Sequence, residues 1–226
     1  MNFDALVKGL DELLFEIMSW LVFYPITLWK VIRHPEKMME YADADQPDEE
    51  GEKYTDTLNP PIFLLVTLLI AHGVELELIG EDPLVANNAG LAGLISDDTS
   101  LILFRVIVFS VFPVLLGARL VRLQQIGLTR QTLEPPFYAQ CYVAALFALA
   151  ISLASALAQM RWEWAWLIGG AAQAGAFVWF FVVQTGWFAR NLGISRWRAL
   201  GDALIGLAQC LLLLGVLMVV LGMRAL

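Results

Sequence analysis

The sequence has little of the chemistry that most enzymes and metalloproteins use. Its 226 residues include only two cysteines, Cys141 and Cys210, and two histidines, His34 and His72. Two cysteines inside apolar runs give neither a disulfide framework nor the ligand spacing of a zinc site. No serine has a plausible histidine partner, and no glycine-rich phosphate-binding loop is visible. We therefore expect a protein that is not an enzyme and that holds no metal or cofactor.

Charge is also scarce, and this decides the environment of the chain. Only 16% of the residues are charged, 59% are hydrophobic, and the mean hydropathy is +0.68. A soluble domain is about half apolar and about a quarter charged. A soluble fold of this size could not bury so much apolar surface, so the expected solvent is the lipid bilayer. The net charge of −8 argues against a nucleic-acid partner.

Five apolar runs each approach the ~20 residues that an α-helix needs to cross the hydrocarbon core. They cover Pro60–Ile79 and residues 100–120, 135–158, 163–188 and 200–222. Prolines open the first and third runs, where a missing N–H at a helix start costs nothing. The sequence therefore predicts an all-α polytopic transmembrane helical bundle with five spans, formed by residues 60–226.

The N-terminal residues predict amphipathic helices rather than another span. Apolar side chains recur at three-four spacing through residues 3–23, while Asp4, Lys8, Asp11, Glu12 and Glu16 occupy the other face. Such a helix prefers to lie in the membrane interface, and Pro25 is expected to break or kink it. We assign residues 1–35 to this interfacial region. The alternative is that residues 12–32 also cross the membrane, which gives six spans.

An acidic segment separates the interfacial region from the spans. Residues 36–59 are polar and mostly acidic, with Asp43, Asp45, Asp48, Glu49, Glu50 and Glu52. Such a composition predicts a solvated cytoplasmic linker.

The distribution of positive charge predicts the orientation. Eleven of the 14 lysines and arginines fall before the first span, at the end of the second span or between it and the third, or between the fourth and fifth. Cytoplasmic loops carry such an excess, so we expect the N-terminus in the cytoplasm and the C-terminus outside. Tryptophans at the two ends of the fourth span predict aromatic belts at both interfaces, and they are Trp162, Trp164, Trp166, Trp187 and Trp197.

Three ionisable residues form a candidate polar cluster near the outer face. His72 and Glu75 lie at the outer end of the first span, and Arg105 lies at a matching depth in the second. Ionisable groups at this depth are costly unless they pair or face water. One interpretation is a polar site that opens outward, with His72 as a proton-responsive member. The other is an ion pair that locks two spans together.

Amides and small residues indicate how the spans pack. Gln140 and Gln184 match in depth near the inner face, and Gln173 and Gln209 both lie near the middle. Amides in lipid seek partners across helices, so interhelical hydrogen bonds are the ordinary interpretation and a permeation path is the alternative. Small residues four apart predict close helix packing, either within the chain or at a homodimer interface. They are Ala144, Ala148, Ser152 and Ala156 in the third span, and Gly170, Ala171, Ala174 and Gly175 in the fourth.

The layout resembles the Ypt-interacting-protein (Yip) family, bacterial branch. The resemblance rests on a polar N-terminal region before five closely spaced spans, on residues 29–35, and on the start of the first span at residues 57–64. The short glycine-tyrosine motifs of the eukaryotic members are absent, so no functional residue carries over. The resemblance implies a role in membrane organisation or assembly in a bacterial inner membrane, with another membrane protein or a second copy as partner. The alternative is a small permease or channel subunit that uses the outer polar cluster.

Overall fold

A computed structural model describes residues 3–44, 54, 56–79 and 98–224. These residues form seven helices and no strand, which confirms the all-α helical membrane bundle. The helices are α1 (Phe3–Arg33), α2 (Pro35–Asp43), α3 (Pro60–Ile79), α4 (Asp98–Leu123), α5 (Arg130–Gln159), α6 (Ala165–Leu192) and α7 (Arg196–Arg224). We call the end where α3 begins and α6 ends the basic end, because it carries Lys30, Arg119, Arg190 and Arg196, and we call the other the opposite end.

Among the residues that the structure describes, six helices are long and apolar enough to cross a membrane. Five of these segments lie in α3 to α7, as the sequence predicts. The sixth is Leu14–Arg33 in α1, which has the lowest hydropathy of the six, at 1.3, and is mostly uncovered by the rest of the bundle. Length and composition alone therefore allow the six-span alternative, and an interfacial α1 stays a prediction.

Helix α5 is the centre of the bundle. It packs against α3, α4, α6 and α2, and it is the most buried of the six apolar helices. Its small side chains let these neighbours approach closely, since Ala144, Ala148, Ser152 and Ala156 are all buried. The four-residue stripe in the third span is therefore used for packing within one chain.

The start of α5 differs from the sequence prediction. The helix begins at Arg130, five residues before Pro135, and both Pro135 and Pro136 lie inside it. Thr129 and Thr132 form a reciprocal capping box, in which each side chain accepts a hydrogen bond from the other residue's backbone N–H. This cap fixes the helix start upstream of the prolines.

The break between the first two helices lies at His34 rather than at Pro25. Helix α1 continues through Pro25 to Arg33, and His34 then leaves the helical conformation directly before Pro35. A residue that precedes proline is disfavoured in the helical region, which explains this position. The kink or break expected at Pro25 does not end the helix.

The start of the acidic segment is folded rather than solvated. Residues 35–43 form α2, and Met38, Met39 and Ala42 on its apolar face are buried against the bundle. These three side chains pack one face of α2 against the bundle, although the average composition of residues 36–59 is acidic. Residues 45–53 and 55, which carry most of the acids, lie outside the described residues.

The chain just before α3 is also fixed to the bundle. The backbone N–H of Leu58 donates to Thr27 Oγ1, and the Tyr142 hydroxyl donates to the carbonyl of Leu58. Lys30 pairs with Asp56 at the surface. These contacts tie the second half of α1 to the basic ends of α3 and α5.

Aromatic side chains fill the middle of the bundle. Phe112, Phe147 and Phe180 come from α4, α5 and α6, are each at most 5% exposed, and have ring centroids 4.6 to 6.3 Å apart. Trp162, Trp164, Trp166 and Trp197 are exposed at the two ends, as an aromatic belt requires, but Trp187 is only 1% exposed. Trp187 belongs to the core instead, because α2 and α5 pack over the end of α6 where it lies.

Candidate functional site

The two charged members of the predicted polar cluster meet in an ion pair. The Arg105 guanidinium of α4 contacts Glu75 Oε2 of α3, and the two side chains are only 14% and 12% exposed. Helices α3 and α4 both pack mainly against α5, which holds them side by side. Their matching depth and antiparallel directions bring the carboxylate and the guanidinium together.

The ion pair lines a cavity of about 260 Å³ at the opposite end of the bundle. His72, only 5% exposed, lies on the same wall as Glu75, one helical turn away along α3. Helix α5 completes the lining with three polar residues, namely Ser152, Ser155 and Gln159. Apolar side chains, among them Phe109 and Ile151, form the rest of the wall.

Sequence reasoning missed the contribution of α5 to this cavity. Ser152 lies on the small-residue stripe of the third span, where a packing role explains it equally well, and Ser155 lies beside that stripe. Only the packing of α5 against both α3 and α4 shows that the two serines face the ion pair. The sequence indicates only that Ser152 and Ser155 share a helix face, because they are three residues apart.

The cavity combines both charge signs with hydroxyl and amide groups. A carboxylate, an imidazole, a guanidinium and two serine hydroxyls lining one cavity could bind water or a small polar solute through hydrogen bonds. Within the described residues no cluster of histidine, cysteine, aspartate and glutamate could hold a metal ion. Because Arg105 and Glu75 compensate each other, the site presents little net charge to a solute.

Three of the four predicted amides hydrogen-bond between helices. Gln140 of α5 and Gln184 of α6 exchange two hydrogen bonds, with N–O distances of 2.9 and 2.6 Å, and both are buried. The Gln173 amide donates to Ser155 Oγ at 2.9 Å rather than meeting Gln209. The Gln209 side chain lies on the exposed face of α7. Equal depth correctly indicated the first pair but not the partner of Gln173.

A second ion pair lies near the basic end and was not predicted. Arg119 of α4 donates to Asp202 of α7 at 2.6 Å, and these side chains are 14% and 21% exposed. The sequence does indicate this pair, because Asp202 lies just inside the predicted fifth span, at a depth where a carboxylate needs a partner. Helix α4 is thus held by one arginine at each end, with Phe112 seven residues from both.

The small residues of α6 form two sets, of which one is packed against α5 and the other is exposed. A Cβ added at Gly169 would lie 2.5 Å from the backbone of Ala158 in α5, so this glycine is required by packing within the chain. A Cβ at Gly170 or Gly175 would meet nothing within 4 Å. Gly170, Ala171, Ala174 and Gly175 are exposed, and we call these four residues the α6 small-residue face.

Comparison of the chain with protein-family models, with curated proteins and with solved structures finds no match. The fold therefore defines the class, which is a multi-pass membrane protein built as an all-α helical bundle. The roles of the polar cluster and of the amides remain predictions.

Proposed function

We propose that this chain is a non-enzymatic multi-pass membrane protein with a Yip-like role, in which it organises the membrane or assembles membrane-protein partners. In this proposal the basic end faces the cytoplasm of a bacterial cell and the opposite end faces outward. The observation that carries the proposal is that the Glu75–Arg105, Arg119–Asp202 and Gln140–Gln184 pairs form within the chain, while the α6 small-residue face is left uncovered.

The paired polar groups support assembly rather than permeation. The two ion pairs lie near opposite ends of α4, and the Phe112, Phe147 and Phe180 rings fill the level between them. A path for a polar solute needs hydrogen-bonding groups or water along its length. The aromatic packing interrupts such a path in the middle of the bundle.

The uncovered α6 small-residue face supports association with another helix. In lipid, helices associate through close backbone packing at small residues, because the hydrocarbon offers no hydrophobic driving force. Gly170 and Gly175 leave room that no other part of the described chain fills. A partner helix could approach this face as closely as α5 approaches Gly169.

Photocrosslinking in native membranes tests this proposal. A photoreactive residue at Ala174 should give adducts with a second copy or with one defined membrane protein, and Gly175→Leu should abolish them. The matched control is the same probe at Leu212, which is 70% exposed on α7, and it should crosslink only to lipid. If Ala174 and Leu212 both give lipid adducts alone, the assembly role is wrong.

The second candidate function is a small permease that uses the site at the opposite end. The cavity lined by His72, Glu75 and Arg105 favours it, since it gives a polar solute a place to bind at one side of the membrane. Purified protein in proteoliposomes should then carry a proton or solute flux that Glu75→Gln abolishes. Flux equal to that of empty liposomes across a panel of ions and small zwitterions would eliminate this candidate.

A further inference from the structure

A groove of about 690 Å³ runs between α6 and α7 near the basic end. Val178 and Val182 line it from α6, and Leu200 and Leu204 line it from α7. Three of these side chains are 48% to 64% exposed, so the groove opens to the lipid rather than into the core. Such apolar walls at this position fit a hydrocarbon chain.

The length of the groove matches one leaflet of a bilayer. Its α7 wall extends from Arg196 to Leu204, nine residues whose eight steps rise ~12 Å along a helix. One leaflet contributes about half of the ~30 Å hydrocarbon core. Trp197 at the charged end is 84% exposed, as expected for a side chain at the headgroup level. The groove therefore runs from the headgroups toward the middle of the membrane.

The mouth of the groove carries one base and one acid. Arg196 is exposed, is the first residue of α7, and makes no ion pair within the described part of the chain. Its guanidinium lies where the backbone N–H groups of a helix N-terminus also attract an anion. Glu36 of α2 lies at the same mouth.

Glu36 keeps one oxygen available to the groove. Arg190 binds Glu36 Oε2 and also Glu40, so this arginine is already neutralised. The other oxygen, Oε1, lies against Gly186, which lines the groove, and a Cβ at Gly186 would displace it. The groove is thus lined by one cation, Arg196, and by a separate anionic acceptor, Glu36 Oε1.

A buried hydroxyl inside the groove also lacks a partner. Thr185 lines the groove, and its Oγ1 is buried without a hydrogen-bond partner among the described residues. An unmet hydroxyl in an apolar environment is costly, and an acceptor supplied by a ligand would remove that cost. Thr185 lies seven residues before the end of α6 and Arg196 is the first residue of α7, so the hydroxyl lies deeper in the bundle than the start of α7. The ester carbonyls of a phospholipid likewise lie deeper than its headgroup, between the headgroup and the acyl chains.

We propose that this groove binds one phospholipid whose zwitterionic headgroup carries a primary ammonium, that is, a phosphatidylethanolamine. Its phosphate binds Arg196 and the N-terminus of α7, and its ammonium donates to Glu36 Oε1. One acyl chain lies along Val182 and Leu204. A trimethylated headgroup has no N–H to donate to Glu36, and an anionic glycerol headgroup places no cation there. The site does not depend on the proposed assembly role.

Native mass spectrometry of the full chain in detergent, with each lipid added in turn, tests this site. Phosphatidylethanolamine should bind about tenfold more tightly than phosphatidylcholine, the effect of one charge-assisted hydrogen bond. Glu36→Gln should bring that ratio close to one, and Arg196→Gln should weaken both lipids. The matched controls are Glu40→Gln, which also removes a carboxylate from Arg190, and Arg198→Gln, which removes the next arginine of α7. Neither residue lines the groove, so both should bind as wild type.

Three results would overturn the site. They are equal affinity for phosphatidylethanolamine and phosphatidylcholine, tighter binding of phosphatidylglycerol than of phosphatidylethanolamine, and unchanged binding by Arg196→Gln. If Arg196→Gln does not fold, Leu204→Trp replaces it, since the indole fills the groove from the exposed side of α7. Wild-type lipid affinity in Leu204→Trp would likewise exclude the groove. The soluble headgroup glycerophosphoethanolamine should not compete, because it lacks the acyl chain.

Discussion

Removing one partner of the Glu75–Arg105 ion pair should lower the free energy of unfolding more than removing both partners does. Glu75→Gln leaves a guanidinium that is 14% exposed without its carboxylate, and Arg105→Gln leaves a carboxylate that is 12% exposed without its guanidinium. Breaking a fully buried pair costs about 3–5 kcal/mol, and a charge near the end of a span can partly reach the headgroups. We therefore expect a loss of about 3 kcal/mol for each single variant.

The double variant Glu75→Gln/Arg105→Gln should lose only about 1–2 kcal/mol, because two amides can hydrogen-bond to each other and to the cavity. The coupling energy between the two sites is then several kcal/mol. Reversible unfolding in detergent, measured for both single variants and the double variant, gives this energy directly. Arg122→Gln, at an exposed position near the basic end, is the control and should change stability by less than about 0.5 kcal/mol. Additive losses in the cycle would refute the pairing.

Three further perturbations follow from the packing and the orientation. Gly169→Ala should cost about 1–3 kcal/mol, since its Cβ would lie 2.5 Å from Ala158, whereas Gly170→Ala in open space should be nearly neutral in the same thermal unfolding assay. Gln140→Leu should destabilise the fold by about 1–2 kcal/mol by leaving Gln184 unpaired, and the double leucine variant should recover part of that loss. A cysteine at position 125 should react with an impermeant maleimide only after permeabilisation, because the orientation places it in the cytoplasm. A tag at the N-terminus should stay cytoplasmic if α1 is interfacial, and a tag detected outside would mean six spans.

Depth along the membrane was the information that the sequence carried best. A helix rises by a fixed distance per residue, so Glu75 and Arg105, like Gln140 and Gln184, could be matched by counting from the span ends. Which helices are neighbours is not contained in such a count. The partner of Gln173 and the position of Ser155 in the cavity wall therefore required the structure.

Average composition misled where a few apolar residues decide the packing. Helix α2 lies in an acidic segment, yet Met38, Met39 and Ala42 bury one side of it. Asp202 shows the reverse case, since it is a single acid in an apolar run, and the position of its partner Arg119 near a span end indicates orientation rather than pairing. In both segments the tertiary contacts are made by the few residues that differ from the rest of the segment, which are apolar in α2 and acidic in α7.

The proposed assembly role depends on the α6 small-residue face, and the number of chains in a native particle tests it most directly. The protein should be extracted into native nanodiscs with a small amount of surrounding membrane, and the mass of protein in each disc measured. We expect particles that hold a second copy or a defined partner beside the 25.1 kDa chain, and we expect Gly170→Leu/Gly175→Leu to reduce them to the single chain. Wild-type discs that contain one chain and no other protein would contradict the account.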